Sequence, residues 1–297
     1  MHKTIAAAAL AALVFAPAHA DETSAQVFAA VPAWPQHAVK SGNCDALSAQ
    51  ASALSLKAGQ AGAVDQQQVE QAGQASAAEV QARYGAQAEQ NRQAGVDVAQ
   101  RMQALAQKYQ GNQQAMLADP EFQQLMQQAQ GVNRQVVAVS RQATTTMQPL
   151  HDTASQAQLK QQQYCIPLDA QAEALHKRIL DEQQAQHARG SAPFKAEVKS
   201  NCKMLIGEDG PFPEGSCVEA IAKRHQGEFE AAANGLLQNL APDYARLRQG
   251  AQQCGAQLDG AFGVSAEKYR RAEQLLRMQV LACEKAQDLY DVNANLN

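Results

Sequence analysis

Residues 80–109 read VQARYGAQAEQNRQAGVDVAQRMQALAQKY, and residues 122–150 read FQQLMQQAQGVNRQVVAVSRQATTTMQPL. In both stretches, apolar or small residues recur at alternating steps of three and four, which is the heptad pattern of a helix packed along another helix. The surrounding region from Gly62 to Pro167 is dominated by Ala and Gln, so a disordered Gln-rich linker is the competing interpretation. The periodicity favours helix over a linker.

The two heptad patterns face each other if the chain reverses within residues 111–118. In an antiparallel pair the position numbers of facing residues add to a constant, and here they add to 230 or 231 over about four heptads. The sequence therefore predicts a long antiparallel coiled-coil hairpin. The facing pairs are Tyr109 with Phe122, Leu105 with Met126, Met102 with Ala129, Val98 with Val132, Gly95 with Val136, Asn91 with Val139, Gln87 with Ala143, Tyr84 with Met147, and Val80 with Leu150.

Local sequence around the reversal agrees with such a hairpin. Asp119 is a favourable N-cap, Pro120 suits the first helical position, and Glu121 places an acid in the first turn. Farther along, Pro149 follows three threonines and predicts a kink, because proline removes one backbone hydrogen bond of the helix.

The first residues of the chain have the pattern of a secretory signal peptide. Lys3 gives a basic start, residues 5–15 form an apolar run, and an Ala-His-Ala site follows at 18–20. The run is shorter than the roughly 20 apolar residues that a membrane-spanning helix needs. We therefore expect residues 1–20 to be a signal peptide cleaved after Ala20, which makes the mature protein periplasmic or secreted.

Six cysteines follow this segment, and an even number in an exported chain predicts three disulfides. The closest two, Cys202 and Cys217, are fifteen positions apart, so zinc-knuckle and Cys-x-x-Cys spacings are absent. We expect these two to pair and to staple two helices across the loop between them. The pairing of the others, Cys44, Cys165, Cys254 and Cys283, is left open by the sequence.

The remaining organisation follows from turn residues and apolar stripes. Residues 21–43 are expected to form an extended N-terminal segment, residues 44–167 the long hairpin, and residues 168–297 a C-terminal helical bundle. Turn residues at 190–193 predict a helix break, and those at 207–215 predict a loop. The helices expected after that loop span residues 217–240, 242–258 and 265–290.

Charge and motifs exclude several function classes. The chain has 25 basic and 29 acidic residues without a Lys/Arg cluster, so nucleic acid is not an expected partner. Glu173 and His176 form one Glu-x-x-His element, but a di-iron site needs a second copy, and the sequence has none. His225 is isolated in sequence and is expected on a packed helix face. Without a catalytic or cofactor motif, we expect no enzymatic activity, no cofactor and no metal site.

The leading functional hypothesis is a periplasmic interaction or scaffold protein, of which a chaperone-like protein is one form. The hairpin is longer than its own core requires, and we expect apolar residues at its tip, Met116, Leu117 and Phe122, to bind protein partners. The competing interpretation is that Met116 and Leu117 only cap the helix packing. The alternative function is a membrane-acting or channel-docking hairpin, which the Gln-rich outer faces do not favour. The sequence indicates no oligomeric state.

Overall fold

The computed structural model describes residues 22–37, 44–207 and 210–296 of the chain. Within these residues the protein is helical apart from one two-stranded β-hairpin, so the predicted all-α class is confirmed. The expected signal peptide, residues 1–20, lies outside the described residues. In chain order the elements are α1 Ser24–Ala29, α2 Cys44–Tyr109, α3 Gln113–Ala118, α4 Pro120–Tyr164, α5 Pro167–Asn201, β1 Met204–Gly207, β2 Gly210–Pro213, α6 Gly215–Leu258, α7 Ala266–Asp288 and α8 Val292–Leu296.

The two longest helices, α2 and α4, pack side by side in antiparallel directions. α2 has 66 residues and α4 has 45, so at about 1.5 Å per residue they are about 100 Å and about 70 Å long. The Tyr84 hydroxyl lies 3.2 Å from Thr146 Oγ1, and Arg101 donates to Glu121 at 3.1 Å. Residues 70–160 of this helix pair, including the connection between the helices, are called the arm below.

The first part of α2 packs against α7, and α7 packs with α5 and α6 in a helical bundle. Its core forms because α6 and α7 carry apolar residues at helical spacing, so that each helix presents an apolar stripe to its neighbours. Ala51 and Ala58 of α2 enter this core, which joins the helix firmly to the bundle. The largest fully buried side chains at the centre are Leu236, Leu237, Leu240, Tyr244, Leu247, Leu275 and Leu276.

Three disulfides hold the bundle together and involve all six cysteines. Two of them join residues 239 and 89 positions apart, and cross-links that close long loops restrict the unfolded chain most. The pairs are Cys44–Cys283 between α2 and α7, Cys165–Cys254 between the end of α4 and α6, and Cys202–Cys217 across the base of the β-hairpin.

The segment before α2 is not extended as predicted, because residues 24–29 form the helix α1. A capping box starts this helix: the Thr23 hydroxyl accepts a hydrogen bond from the Gln26 amide, and Gln26 Oε1 accepts one from the Thr23 amide at 2.8 Å. The Asp259 carboxylate, at the end of α6, accepts a hydrogen bond from the Ser24 amide at 3.0 Å.

Polar contacts with backbone carbonyls fix the same N-terminal segment to the bundle. Arg248 donates to the carbonyl of Pro32 at 2.8 Å. The Trp34 ring lies 4.6 Å from the Tyr244 ring, centroid to centroid, and its Nε1–H donates to the Leu237 carbonyl at 2.8 Å. Residues 22–37 are therefore a part of the bundle.

Two predicted helix ends are wrong, because α5 and α6 continue through their internal prolines, Pro193 and Pro242. An internal proline removes a backbone hydrogen bond, and a helix tolerates it only when its packing offsets the loss. Phe194, beside Pro193, is fully buried, and Arg178 donates to the Asn239 carbonyl at 3.4 Å in the turn before Pro242.

The loop predicted at residues 207–215 is also partly wrong. Residues 210–213 form β2, which pairs antiparallel with β1 so that Leu205 lies opposite Phe212. Gly210 has a φ of +115°, a backbone conformation that glycine adopts without steric cost. A short β-hairpin therefore connects α5 to α6.

Candidate functional site: the arm and its two ends

A small apolar cluster holds the far end of the arm together. Leu125 of α4 is fully buried and packs with Val98 and Leu105 of α2. The sequence paired Leu105 with Met126, but Met126 is 41% exposed, because one residue along a helix turns the side chain by about 100°. The partly buried members of the cluster are Met102, Tyr109, Phe122 and Ala129.

The tip of the arm is an ordered turn. Gln110 and Gly111 have positive φ values of 41° and 88°, which reverse the chain after α2. The short helix α3 follows, capped by the Asn112 side chain. Asp119 then starts α4 by accepting a hydrogen bond from the Glu121 amide at 2.7 Å, as its sequence predicts.

Asp119 also ties the two long helices together at the tip. The Tyr109 hydroxyl at the end of α2 donates a hydrogen bond to its carboxylate, and Lys108 Nζ lies 3.6 Å away. The bond from Tyr109, followed by the bond from the Glu121 amide, holds the pKa of Asp119 below its usual range. The same bond raises the pKa of Tyr109. At neutral pH the carboxylate is therefore charged and fixes the start of α4 to the end of α2.

The three residues predicted to bind partners differ in their exposure. Leu117 on α3 is 49% exposed, and Met116 beside it is half-buried. Phe122 is half-buried in the apolar cluster at the end of the arm. Leu117 is therefore the residue of the three most accessible to a partner, and binding by these residues stays a prediction.

Four apolar side chains of α4 are exposed along one side of the arm. Met126, Val136, Val137 and Met147 are between 41% and 45% exposed, and we call them the apolar flank. The sequence placed Met126, Val136 and Met147 in the packed seam. They lie outside it because two helices share only a narrow contact stripe, and residues at its border remain open to solvent.

The middle of the arm differs from the pairing that the sequence predicts. The sequence paired Gly95 with Val136, but a Cβ added to Gly95 would lie 3.8 Å from Cγ1 of Val132. Asn91 is buried, and its Nδ2 has no hydrogen-bond partner among the described residues, whereas Gln87 is exposed. A buried amide without a partner costs about 1–3 kcal/mol, so this part of the arm is less stable than its end.

A cleft of about 870 Å³ opens between α2 and α4 beside Pro149. α4 runs through this proline as one helix. Before it, the hydroxyls of residues 144–146 each donate to the carbonyl four residues earlier at 2.9–3.0 Å, a contact that often bends a helix. Arg83 and Arg141 line the cleft from the two helices.

A buried charged group joins the base of the arm to the bundle. Glu267 of α7 is buried and accepts hydrogen bonds from Arg271 Nε at 2.7 Å and from Gln161 of α4 at 3.2 Å. Arg271 also donates to Asp169 of α5 at 2.5 Å, and this bond lowers the pKa of Asp169. One carboxylate and one guanidinium thus link α4, α5 and α7, which fixes the direction in which α4 leaves the bundle.

The structure brings no metal-binding set together at the predicted Glu-x-x-His element within the described residues: Glu173 and His176 are both exposed on α5. Cys165, Cys254 and Glu267 have ligand atoms within 4.8 Å of one another. The two cysteines are joined in a disulfide, so they offer no thiolate to a metal ion.

His225 is buried on α6, as predicted for a packed helix face, and it has two carboxylate partners that were not predicted. Its Nδ1 lies 2.6 Å from Glu228, and its Nε2 lies 2.6 Å from Glu197 of α5. The bond with Glu228 raises the pKa of His225, burial opposes the rise, and the bond with Glu197 adds to it. The spacing of His225 and Glu228 on one helix face was visible in the sequence, whereas the contact with Glu197 needed the fold.

No known protein family, no curated protein and no solved structure matches this chain. Its function is therefore inferred from its own residues.

Proposed function

We propose that this chain is a periplasmic interaction or scaffold protein whose arm, an antiparallel coiled-coil hairpin standing on a disulfide-linked bundle, binds protein partners. A chaperone-like role is one form of this function. The observation that supports it best is the apolar flank of α4, where four apolar side chains are 41–45% exposed. Apolar residues grouped on one face of a helix are typical of a surface that packs against another protein.

The spacing within the apolar flank supports this reading. Met126 and Val137 are eleven residues apart, as are Val136 and Met147, and eleven residues return a helix to nearly the same face, so the four side chains form two neighbouring lines about 80° apart. A partner helix with an apolar stripe fits such a face. The positions between them on this side are uncharged, namely Gln130, Asn133, Ser140 and Thr144.

An exported location is part of the proposal. The signal-peptide pattern of residues 1–20 and the three disulfides both support it, because an oxidising compartment maintains such bonds. A partner is then expected in the periplasm or outside the cell.

A membrane-acting arm has less support. Among the described residues, no helix has the length and the apolar character that crossing a membrane requires. The apolar flank is interrupted by polar side chains, whereas a helix that enters a lipid surface needs a continuous apolar face. We therefore favour protein partners over lipid.

Site-specific photo-crosslinking in the producing cells tests the proposal. A photoreactive residue at Leu117 or Val137 is expected to capture the same partner proteins, because both positions are exposed on the arm. The matched controls are Gln127, on another side of α4, and Gln226, on the exposed surface of the bundle. Capture of the same proteins at equal yield from the control positions, or no capture from Leu117 and Val137, would contradict the proposal.

A second variant separates the apolar flank from the tip. Val137→Gln removes an exposed apolar side chain and keeps a residue that favours helix. We expect it to reduce partner capture at Leu117 while leaving the stability of the protein unchanged. Equal capture by this variant would confine the interaction to the tip.

A further inference from the structure

The β-hairpin between α5 and α6 is a separate exposed feature. Its strands are joined at the base by the Cys202–Cys217 disulfide, and the Glu214 amide donates to the Lys203 carbonyl at 2.9 Å. The side chain of Ile206 on β1 is 91% exposed. A two-stranded ribbon has two edges, and each edge is a possible site for a further strand.

The hydrogen-bond pattern decides which backbone groups point away from the hairpin. Residues in an antiparallel pair alternate between hydrogen-bonded and non-hydrogen-bonded positions. Since Lys203 and Glu214 form a bonded pair, Leu205 and Phe212 form the next one, and the residues between them are not bonded across the ladder. The backbone groups at these intermediate positions therefore point outward.

The two outer edges differ because of proline. The outward positions of β2 are Pro211 and Pro213, which have no N–H and cannot donate to another strand. The outward positions of β1 are Met204 and Ile206, each with a backbone donor and acceptor that bond to no other described residue. Among the described residues, no further strand pairs with β1. One edge is thus closed by proline, and the other is open.

We propose that the open edge of β1 binds an extended segment of a partner protein, which adds to the hairpin as a third strand. The outward amides and carbonyls of Met204 and Ile206 select an extended backbone as the occupant. Their side chains lie on one face of the strand, two residues apart, so the partner segment is expected to carry apolar residues at alternate positions.

Charge and size favour a partner segment over a second copy of this chain. Lys203, which directly precedes β1 and is exposed, places a positive charge at one end of this edge. A partner segment with an acidic residue beside Lys203 complements that charge. A four-residue edge buries far less than the roughly 800 Å² per partner of a stable dimer, so self-pairing through this edge would not persist.

The test uses the intact protein and a synthetic probe, the acetylated and amidated peptide Lys-Thr-Val-Thr-Val-Glu, measured by fluorescence anisotropy. The control peptide has the same side chains, but its four central amides are N-methylated, which removes the donors that a third strand needs. The wild-type protein is expected to bind the first peptide and to bind the second at least about tenfold more weakly. Slower exchange of the Met204 and Ile206 amides with the first peptide is also expected.

Protein variants give a matched comparison. Ile206→Pro removes an outward donor at a position where the hairpin itself needs none, and Ile206→Thr keeps that donor. We expect the proline variant to bind the peptide about tenfold more weakly and the threonine variant to stay within about threefold of wild type. If Ile206→Pro fails to form the hairpin, the comparison of the two peptides on the wild-type protein still tests the proposal.

Three results would overturn the proposal: no binding of either peptide, equal binding of the methylated peptide, or a dimer of the wild-type protein that Ile206→Pro dissociates. The last result would show that a second copy occupies the edge. The edge of β1 is separate from the arm, so the absence of crosslinks at Leu117 would not count against this proposal.

Discussion

The carboxylate of Asp65 on α2 accepts a hydrogen bond from the backbone amide of Ala266, the first residue of α7, at 2.9 Å. Its other oxygen accepts one from the Ser265 amide at 3.0 Å. The first amides of a helix have no partner within the helix, so this buried acid supplies from α2 the cap that Ser265 does not provide. The same residue stands where α2 leaves the bundle to become the arm.

Replacing Asp65 with alanine is expected to destabilise the protein by about 1–2 kcal/mol, because two amides at the start of α7 lose their acceptor in a buried place. Chemical denaturation measures the change. Asp97→Ala, an exposed acid on the same helix, is the control and should change stability by less than about 0.5 kcal/mol. Equal effects of both substitutions would show that the cap contributes nothing.

Leu125→Ala and Met126→Ala are adjacent substitutions with opposite expected outcomes. Leu125 is fully buried in the cluster at the end of the arm, so its truncation is expected to cost about 2–4 kcal/mol of local stability. Met126 is exposed, so its truncation should cost less than about 1 kcal/mol. Amide hydrogen exchange over residues 98–129 measures the loss of local stability in both variants. Comparable losses would show that Met126 is packed as tightly as Leu125, which would contradict its exposure.

Asn91→Leu is expected to stabilise the arm by about 1 kcal/mol, because it replaces a buried amide whose Nδ2 has no partner among the described residues. Thermal unfolding monitored by amide hydrogen exchange in α2 checks this gain in stability. Gln87→Leu, at an exposed position one turn away, should leave the stability unchanged. A loss of stability in Asn91→Leu would show that the asparagine has a role in setting the register of the arm.

The stability contributed by His225 is expected to depend on pH. Its folded pKa lies above the ordinary value of 6.5 because of the bond with Glu228. The protonated form is therefore favoured by folding, so the contribution is complete below about pH 6.5 and is lost as the pH rises through the raised pKa. His225→Gln should remove this slope, as measured by denaturation between about pH 5.5 and pH 8.5.

The control for the histidine is His176→Gln, at an exposed position on α5. It should keep the pH dependence of the wild-type protein. An NMR titration of His225 that gives a pKa at or below 6.5 would contradict the expected sign.

The helices of the arm could be predicted because their patterns are local. The start of α4 at Asp119 and Pro120 follows from the types of adjacent residues, which need no tertiary contact. The exposure of Val136 and Met147 was missed, since a heptad pattern does not reveal how wide the contact between two helices is.

The bundle was harder to predict, because its deciding contacts join residues far apart in sequence. Nothing near Pro242 indicates that Arg178, on another helix, would donate to a carbonyl in the preceding turn. Likewise, the docking of residues 22–37 depends on Arg248, more than 200 positions away. Proline and turn signals therefore suggested breaks that tertiary packing overrides.

The extension of the arm is tested most directly by a distance measurement between spin labels at Glu70 and Gln107, two exposed positions near the base and the tip of α2. Labels carried by non-natural amino acids leave the three disulfides intact. A straight helix predicts a narrow distribution centred at about 55 Å, from 37 residues at about 1.5 Å each. A broad distribution, or one centred below about 40 Å, would contradict a rigid arm that reaches away from the bundle.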